Sequence, residues 1–156
     1  MTRKSIKIEY EEYNSIEELS VSDKELLLQA MLAADKAYSP YSGFKVGASV
    51  KLSNGKIVPG NNQENIAYPS GLCAERVALF SAMANNPHTT VEAIAVIGKN
   101  SSNQWCAALP CGACRQTLCE YETLGKQKIR IILYSGNNKI IILEGINTLL
   151  PLSFEF

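Results

Sequence analysis

The chain has 156 residues, the size of one ordinary globular domain. Lys plus Arg and Asp plus Glu each total 15, so the formal net charge is zero, which excludes the basic footprint of a nucleic-acid polymer or anionic-membrane binder. Hydrophobic residues make up 46%, enough for a packed core, and no apolar run approaches the roughly 18 to 20 residues of a membrane helix.

Residues 1–20 read as a polar lead-in, and residues 21–156 as a single domain. The opening Met1-Thr2-Arg3-Lys4 and the next residues, Ser5 to Tyr10, are too charged for a signal-peptide core, so a cytoplasmic location is expected. Within the lead-in, Ser5 to Tyr10 has the pattern of one short strand. A helix is expected after Ser22, because Ser22-Asp23-Lys24-Glu25 has the form of a capping box, and Leu26, Leu27, Ala30, Met31, Ala33 and Ala34 follow at helical spacing. Pro40 disfavours helix in the residue before it and ends that run. Phe44 to Leu52 then alternates as a strand, and Asn54-Gly55 is a hairpin turn into Lys56 to Pro59. Cys73 to Met83 reads as a second helix. Val91 to Gly98 is a nearly continuous apolar strand of the kind buried on both faces. Cys111 to Leu124 is a third helix, Lys128 to Tyr134 and Lys139 to Leu143 are strands, and Ile146 to Leu152 is a short helix or turn. This succession reads as an α/β fold with helices in layers against a sheet. The tail Ser153-Phe154-Glu155-Phe156 carries aromatics with no later chain to cover them, which suits docking on a neighbouring subunit.

Five cysteines stand at Cys73, Cys106, Cys111, Cys114 and Cys119, an odd count that favours reduced thiols over a disulfide framework. Pro110-Cys111-Gly112-Ala113-Cys114 places two thiols in the first turn of a helix, and Cys73 also sits at a helix start. Helix N-termini favour thiolate over thiol, and thiolates suit Zn²⁺. Cys119 falls on the far side of its helix, Cys106 lies in a loop and His88 in a turn. The first two read as buried small hydrophobes and His88 as a surface residue. That leaves three ligands and one open position, the arrangement that lowers the pKa of a bound water to about 7. Glu75, two residues after Cys73, can reach that water without binding the metal, as a proton carrier. Three thiolates outweigh the charge of a dication, so Arg76 and Arg115 are expected to offset them by donating hydrogen bonds to the sulfurs.

With these residues in place, the chain resembles the zinc-dependent cytidine deaminases in their small homotetrameric form. The resemblance spans Leu26 to Phe154. It rests on Ala37 through Ala48, Asn62-Gln63-Glu64-Asn65, Tyr68 through Arg76, Pro110 through Gln116 and Leu149 through Phe154. It implies a three-layer α/β/α sandwich with a five-stranded mixed sheet, one Zn²⁺ per subunit on Cys73, Cys111 and Cys114, and Glu75 as proton shuttle. It further implies that the backbone at Ala74 meets the pyrimidine ring, Phe44 packs on the base, and Asn62 and Glu64 bond the ribose 3′-hydroxyl. Phe154 would reach a neighbouring subunit's site. The expected reaction is hydrolysis of cytidine and 2′-deoxycytidine in pyrimidine salvage, on free nucleosides.

Outside that resemblance, Phe44 is equally a core residue, Asn62 and Glu64 solvated turn residues, and Phe154 a residue packed on its own chain. Gln63 departs from the apolar residue usual in the family, and the lead-in is longer than usual. Three other functions compete. A deaminase of a related aminopyrimidine nucleoside such as blasticidin S shares Cys-Ala-Glu and Pro-Cys-Gly-x-Cys-Arg-Gln, although Asn62 to Asn65 favours ordinary ribose. A structural zinc module needs a fourth protein ligand. A redox pair at Cys111 and Cys114 leaves Cys73-Ala74-Glu75 unexplained.

Overall fold

A computed structural model describes residues 1–154, so the Glu155 and Phe156 part of the aromatic tail lies outside the described residues. One sheet of seven strands runs through the molecule in the order β1-β7-β6-β4-β2-β3, with β5 paired to β4 off that path. The strands are β1 Glu11–Tyr13, β2 Lys45–Leu52, β3 Ile57–Asn61, β4 Val91–Lys99, β5 Trp105–Cys106, β6 Arg130–Gly136 and β7 Lys139–Glu144. Three helices, α1 Val21–Ala34, α2 Ala74–Asn85 and α3 Gly112–Gly125, complete the α/β/α sandwich. The sheet is mixed, because β4 pairs antiparallel with β2 and parallel with β6.

The alternation of β4 divides the core into two layers, as a strand buried on both faces must. Ile94 and Val96 face α2 and α3 together with Ala78, Leu79 and Leu118, all fully buried. Ala93, Ala95 and Ile97 face α1 with Leu26, Leu27 and Ala30. Ser49 is buried among them because its hydroxyl donates to the Leu26 carbonyl at 2.6 Å, which satisfies it within the α1 layer.

Five expectations are corrected. Cys106, expected to be buried in a loop, is half-buried in strand β5, where it pairs with Gly98. The sheet has seven strands where five were expected, because β1 adds an edge beyond β7 and β5 pairs with the end of β4. The lead-in strand is Glu11–Tyr13 and not Ser5 to Tyr10, since only the later residues lie alongside β7. Helix α1 starts earlier than Ser22 because Ser20 is its N-cap, accepting from the Asp23 amide at 3.1 Å. The Asp23 carboxylate is drawn instead to Arg130 at 3.2 Å. The last is Arg115, whose guanidinium donates to the Pro110 and Leu149 carbonyls where bonds to the sulfurs were expected.

Helix α2 lies so close to β3 that a Cβ on Gly60 would meet the Ala78 amide nitrogen at 2.4 Å and the Ala74 carbonyl oxygen at 2.8 Å. Both are backbone atoms that cannot yield separately. A Gly60→Ala variant therefore loses about 1 to 3 kcal/mol of stability. It also binds zinc more weakly, because the displaced helix carries Cys73 and Glu75 at its start. Thermal unfolding and zinc titration of the same preparation measure both effects.

Candidate active site

Two helix starts meet at the site. Cys73 is the N-cap of α2 and Cys111 the N-cap of α3, neither side chain capping its own helix, so both thiols are left to face one another. Their sulfurs are 3.8 Å apart, and Cys111 Sγ lies 3.5 Å from Cys114 Sγ in the first turn of α3. All three sulfurs fall within 4.8 Å of one another. A tetrahedron with zinc–sulfur bonds of about 2.3 Å has an edge of about 3.8 Å, so this spacing fits a zinc ion. The three cysteines thus suit one Zn²⁺ per subunit. Among the described residues they are the one group of three or more His, Cys, Asp or Glu side chains close enough to hold a metal. Cys119 is buried in the core and His88 is exposed in its turn, both as expected.

The electrostatics favour a shared negative charge. The Cys73 thiol is lowered to about 5, chiefly by the hydrogen bond from Cys114, and further by Arg76 and Cys111. The same contact with Cys73 pushes the Cys114 thiol up. Arg76 Nη2 lies 3.9 Å from Cys73 Sγ, where its cation opposes the thiolate charge. Arg115 points elsewhere: it donates from Nε to the Pro110 carbonyl and from Nη1 to the Leu149 carbonyl, each at 2.8 Å. Those two bonds tie the loop before α3 to the C-terminal segment.

Glu75, in the first turn of α2, is 4% exposed, and burial first of all raises its pKa, with the negative Cys73 adding to the effect. A carboxyl held this way can keep a proton that an ordinary glutamate would release. It lines a cavity of about 920 Å³ together with Cys73, Cys111, Ala74 and Arg76.

The same cavity takes in Phe44, Asn62 and Glu64. The tip of the Phe44 ring packs against Gly98, where a Cβ would sit 3.0 Å from its Cζ. Asn62 is bound to β2, accepting from the Val46 amide at 2.7 Å and donating to the Phe44 carbonyl at 2.9 Å. Glu64 accepts from the Tyr41 amide at 2.8 Å, the Ser42 amide at 3.3 Å and the Ser42 hydroxyl. The hydroxyl contact is the first cause of its lowered pKa, so Glu64 stays an anion that pins the 41–42 loop. Phe154 is 69% exposed and absent from the lining of its own chain's cavity; Gln116 donates to its carbonyl at 2.9 Å and lays the tail along α3.

Tyr41, Tyr68 and Leu109 also line the cavity and are exposed. The two tyrosine rings meet edge to face, centroids 6.2 Å apart. Sequence reasoning assigned them no role, although Tyr41 and Tyr68 stand inside the motifs that carried the resemblance.

Residues 20–128 match the family model described as the cytidine and deoxycytidylate deaminase zinc-binding region. The chain belongs to this family. Among similar proteins, a cytidine deaminase of Halalkalibacterium halodurans is 40% identical over 99 residues, 63% of this chain and 71% of that one. A cytidine deaminase of Sporosarcina psychrophila is 38% identical over 98 residues, 63% of this chain and 68% of that one. The crystal structure of the Burkholderia pseudomallei cytidine deaminase superposes with a TM-score of 0.72 at 37% identity, covering 87% of this chain and all (100%) of that one. The matched segment contains all three clustered cysteines and Glu75.

Proposed function

We propose that this deaminase-family chain hydrolyses cytidine and 2′-deoxycytidine to uridine and 2′-deoxyuridine with release of ammonia, as in pyrimidine salvage. The observation that carries the reading is the clustering of three cysteine sulfurs beside a cavity of about 920 Å³ that Cys73, Cys111 and the buried Glu75 line. Residues 21–156 are the catalytic unit, with 1–20 a lead-in outside the site.

Cys73, Cys111 and Cys114 would hold the zinc, which when bound would supply an acidified water near neutral pH. Glu75 accepts a proton from the attacking water and passes it to ring N3. Glu75 then takes the proton of the new C4 hydroxyl and delivers it to the amine as the C4–N4 bond breaks, leaving the C4 carbonyl and N3–H of uridine, so one water is consumed for each ammonia released. The raised pKa of its buried carboxyl suits it to hold the proton between those steps. The Ala74 backbone meets the pyrimidine edge and Phe44 its face. Asn62 Nδ2 has a second hydrogen beyond the one given to Phe44, and Glu64 has acceptor capacity beyond its loop contacts, so both can bond a 3′-hydroxyl. A phosphate at that position would meet the Glu64 anion and be refused.

Arg76 is a positioning residue that offsets thiolate charge. Arg76→Gln lowers kcat by about tenfold and moves the acidic limb of the pH–rate profile upward, because a more negative site yields a proton less readily. A purely structural role would leave that limb in place. Association of subunits, as in the homotetramer the resemblance implies, is supported by apolar side chains exposed at the cavity mouth and by the exposed Phe154.

A substrate panel tests the reading. Cytidine and 2′-deoxycytidine are expected to be converted, cytidine 3′-phosphate and single-stranded DNA to be left intact. Conversion of blasticidin S with cytidine untouched would replace the substrate assignment while keeping the chemistry.

A further inference from the structure

The site does not use the lead-in, whose structure has its own logic. Strand β1 runs antiparallel to β7, with Glu11 opposite Ile142, Glu12 opposite Ile141 and Tyr13 opposite Ile140. Its base is anchored by charge, Lys139 reaching Glu12 at 2.5 Å and Arg130 reaching Glu11 at 3.6 Å. Continuing that register would set Glu9 opposite Glu144, a like-charge pair that opposes further pairing. Just beyond, Gly145 at φ 88 turns the partner strand away. Residues 4–10 therefore run past the sheet.

The segment nevertheless keeps a strict two-residue pattern. Ile6, Ile8 and Tyr10, which a strand would set on one face, are 59%, 49% and 58% exposed. Lys7 and Glu9 share the other, joined at 2.5 Å. Beside it, β1 is the last strand of the sheet, with an open outer edge among the described residues.

We propose that residues 4–12 pair antiparallel with the same segment of a second copy of this chain, about a two-fold axis at Ile8. In that register Ile8 faces Ile8, Ile6 faces Tyr10, Lys7 faces Glu9 and Lys4 faces Glu12, so every apolar residue meets an apolar one and every lysine a glutamate. The alternatives are penalised. Moving the axis by one residue sets Lys7 on Lys7 or Glu9 on Glu9, and moving it by half a residue sets the apolar face against the charged one. Charge complementarity thus selects both the partner, an identical chain, and the register. The contact is independent of the deaminase reading, since none of these residues lines the cavity.

Disulfide trapping in the zinc-loaded full chain tests it. Under mild oxidation, Ile8→Cys gives a peptide pair linked through position 8 of both copies, seen by mass spectrometry. Ile6→Cys does not link to itself, because two copies of residue 6 are offset by about 13 Å along such a ribbon. Adding Lys7→Glu to Ile8→Cys lowers the linked yield by about tenfold, since the two-fold repeats each reversed contact. Adding Glu9→Lys as well restores it. Equal yields at positions 6 and 8, or a double charge reversal no better than the single one, would overturn the proposal. A link from position 8 that forms only to the chain's native cysteines would also overturn it.

Discussion

A Glu75→Gln variant is expected to keep its zinc and its fold and to lose turnover by at least about 10³-fold. The amide has nearly the carboxyl's shape, so packing around a 4%-exposed side chain is preserved. What disappears is the ability to take a proton and give it back. In water another molecule could stand in, but the burial that raises the Glu75 pKa also keeps substitutes away. A loss of that size is about 4 kcal/mol of transition-state stabilisation, more than the loss of one ordinary hydrogen bond would explain. Zinc content by elemental analysis, circular dichroism and the steady-state rate on cytidine, taken on one preparation, decide it. Activity within tenfold of the unaltered chain would remove Glu75 from the mechanism.

Replacing Cys114 with Ala should be as damaging by a different route. Cys114 is fully buried in the first turn of α3 and is the inner member of the sulfur cluster. With one of three ligands gone, zinc affinity falls on the order of 10³-fold and activity falls with it. The thermal midpoint measured with zinc should drop towards that of the chelator-treated chain, because a metal that binds only the folded state stabilises it by mass action. Cys119→Ala is the matched control. It lies on the same helix and is equally buried, but packs in the core with Leu118. That variant should lose stability through packing while keeping full zinc. Equal zinc loss in both would mean that the cysteines act through the fold and not as ligands.

The contrast between these two cysteines also shows what could be read from the residues in order. Cys73, Cys111 and Cys114 were legible because each stands at a helix start, and helix starts are local features with local signals. Glu75 followed from its distance to Cys73 along the chain. The central strand was legible from the unbroken apolar run of Val91 to Gly98. Contacts between distant segments were not. The strand pattern in the lead-in is strongest at Ile6, Ile8 and Tyr10, yet the strand forms at the charged Glu11–Tyr13, because β7, far along the chain, lies beside those residues. Ser20 and Ser22 each have an acid three residues on. Only the fold shows that Ser20 caps the helix while Arg130 takes the acid of its pair. Arg115 was drawn to the sulfurs by its neighbours in sequence, but the carbonyls of Pro110 and Leu149 lie closer in the folded chain. Asn62 and Glu64 combine two readings: they are turn residues that hold the β2 end and the 41–42 loop, and they also face the cavity.

The central claim, that this chain deaminates free cytidine at a three-cysteine zinc site, is tested most directly by one measurement. Cytidine is incubated with protein purified without chelator, and the ultraviolet spectrum, the ammonia released and the zinc content are followed together. The account predicts conversion to the uridine spectrum with one ammonia for each uridine, by protein carrying one zinc per chain, and arrest when a chelator strips the metal. An unchanged cytidine spectrum with one zinc bound per chain would contradict it.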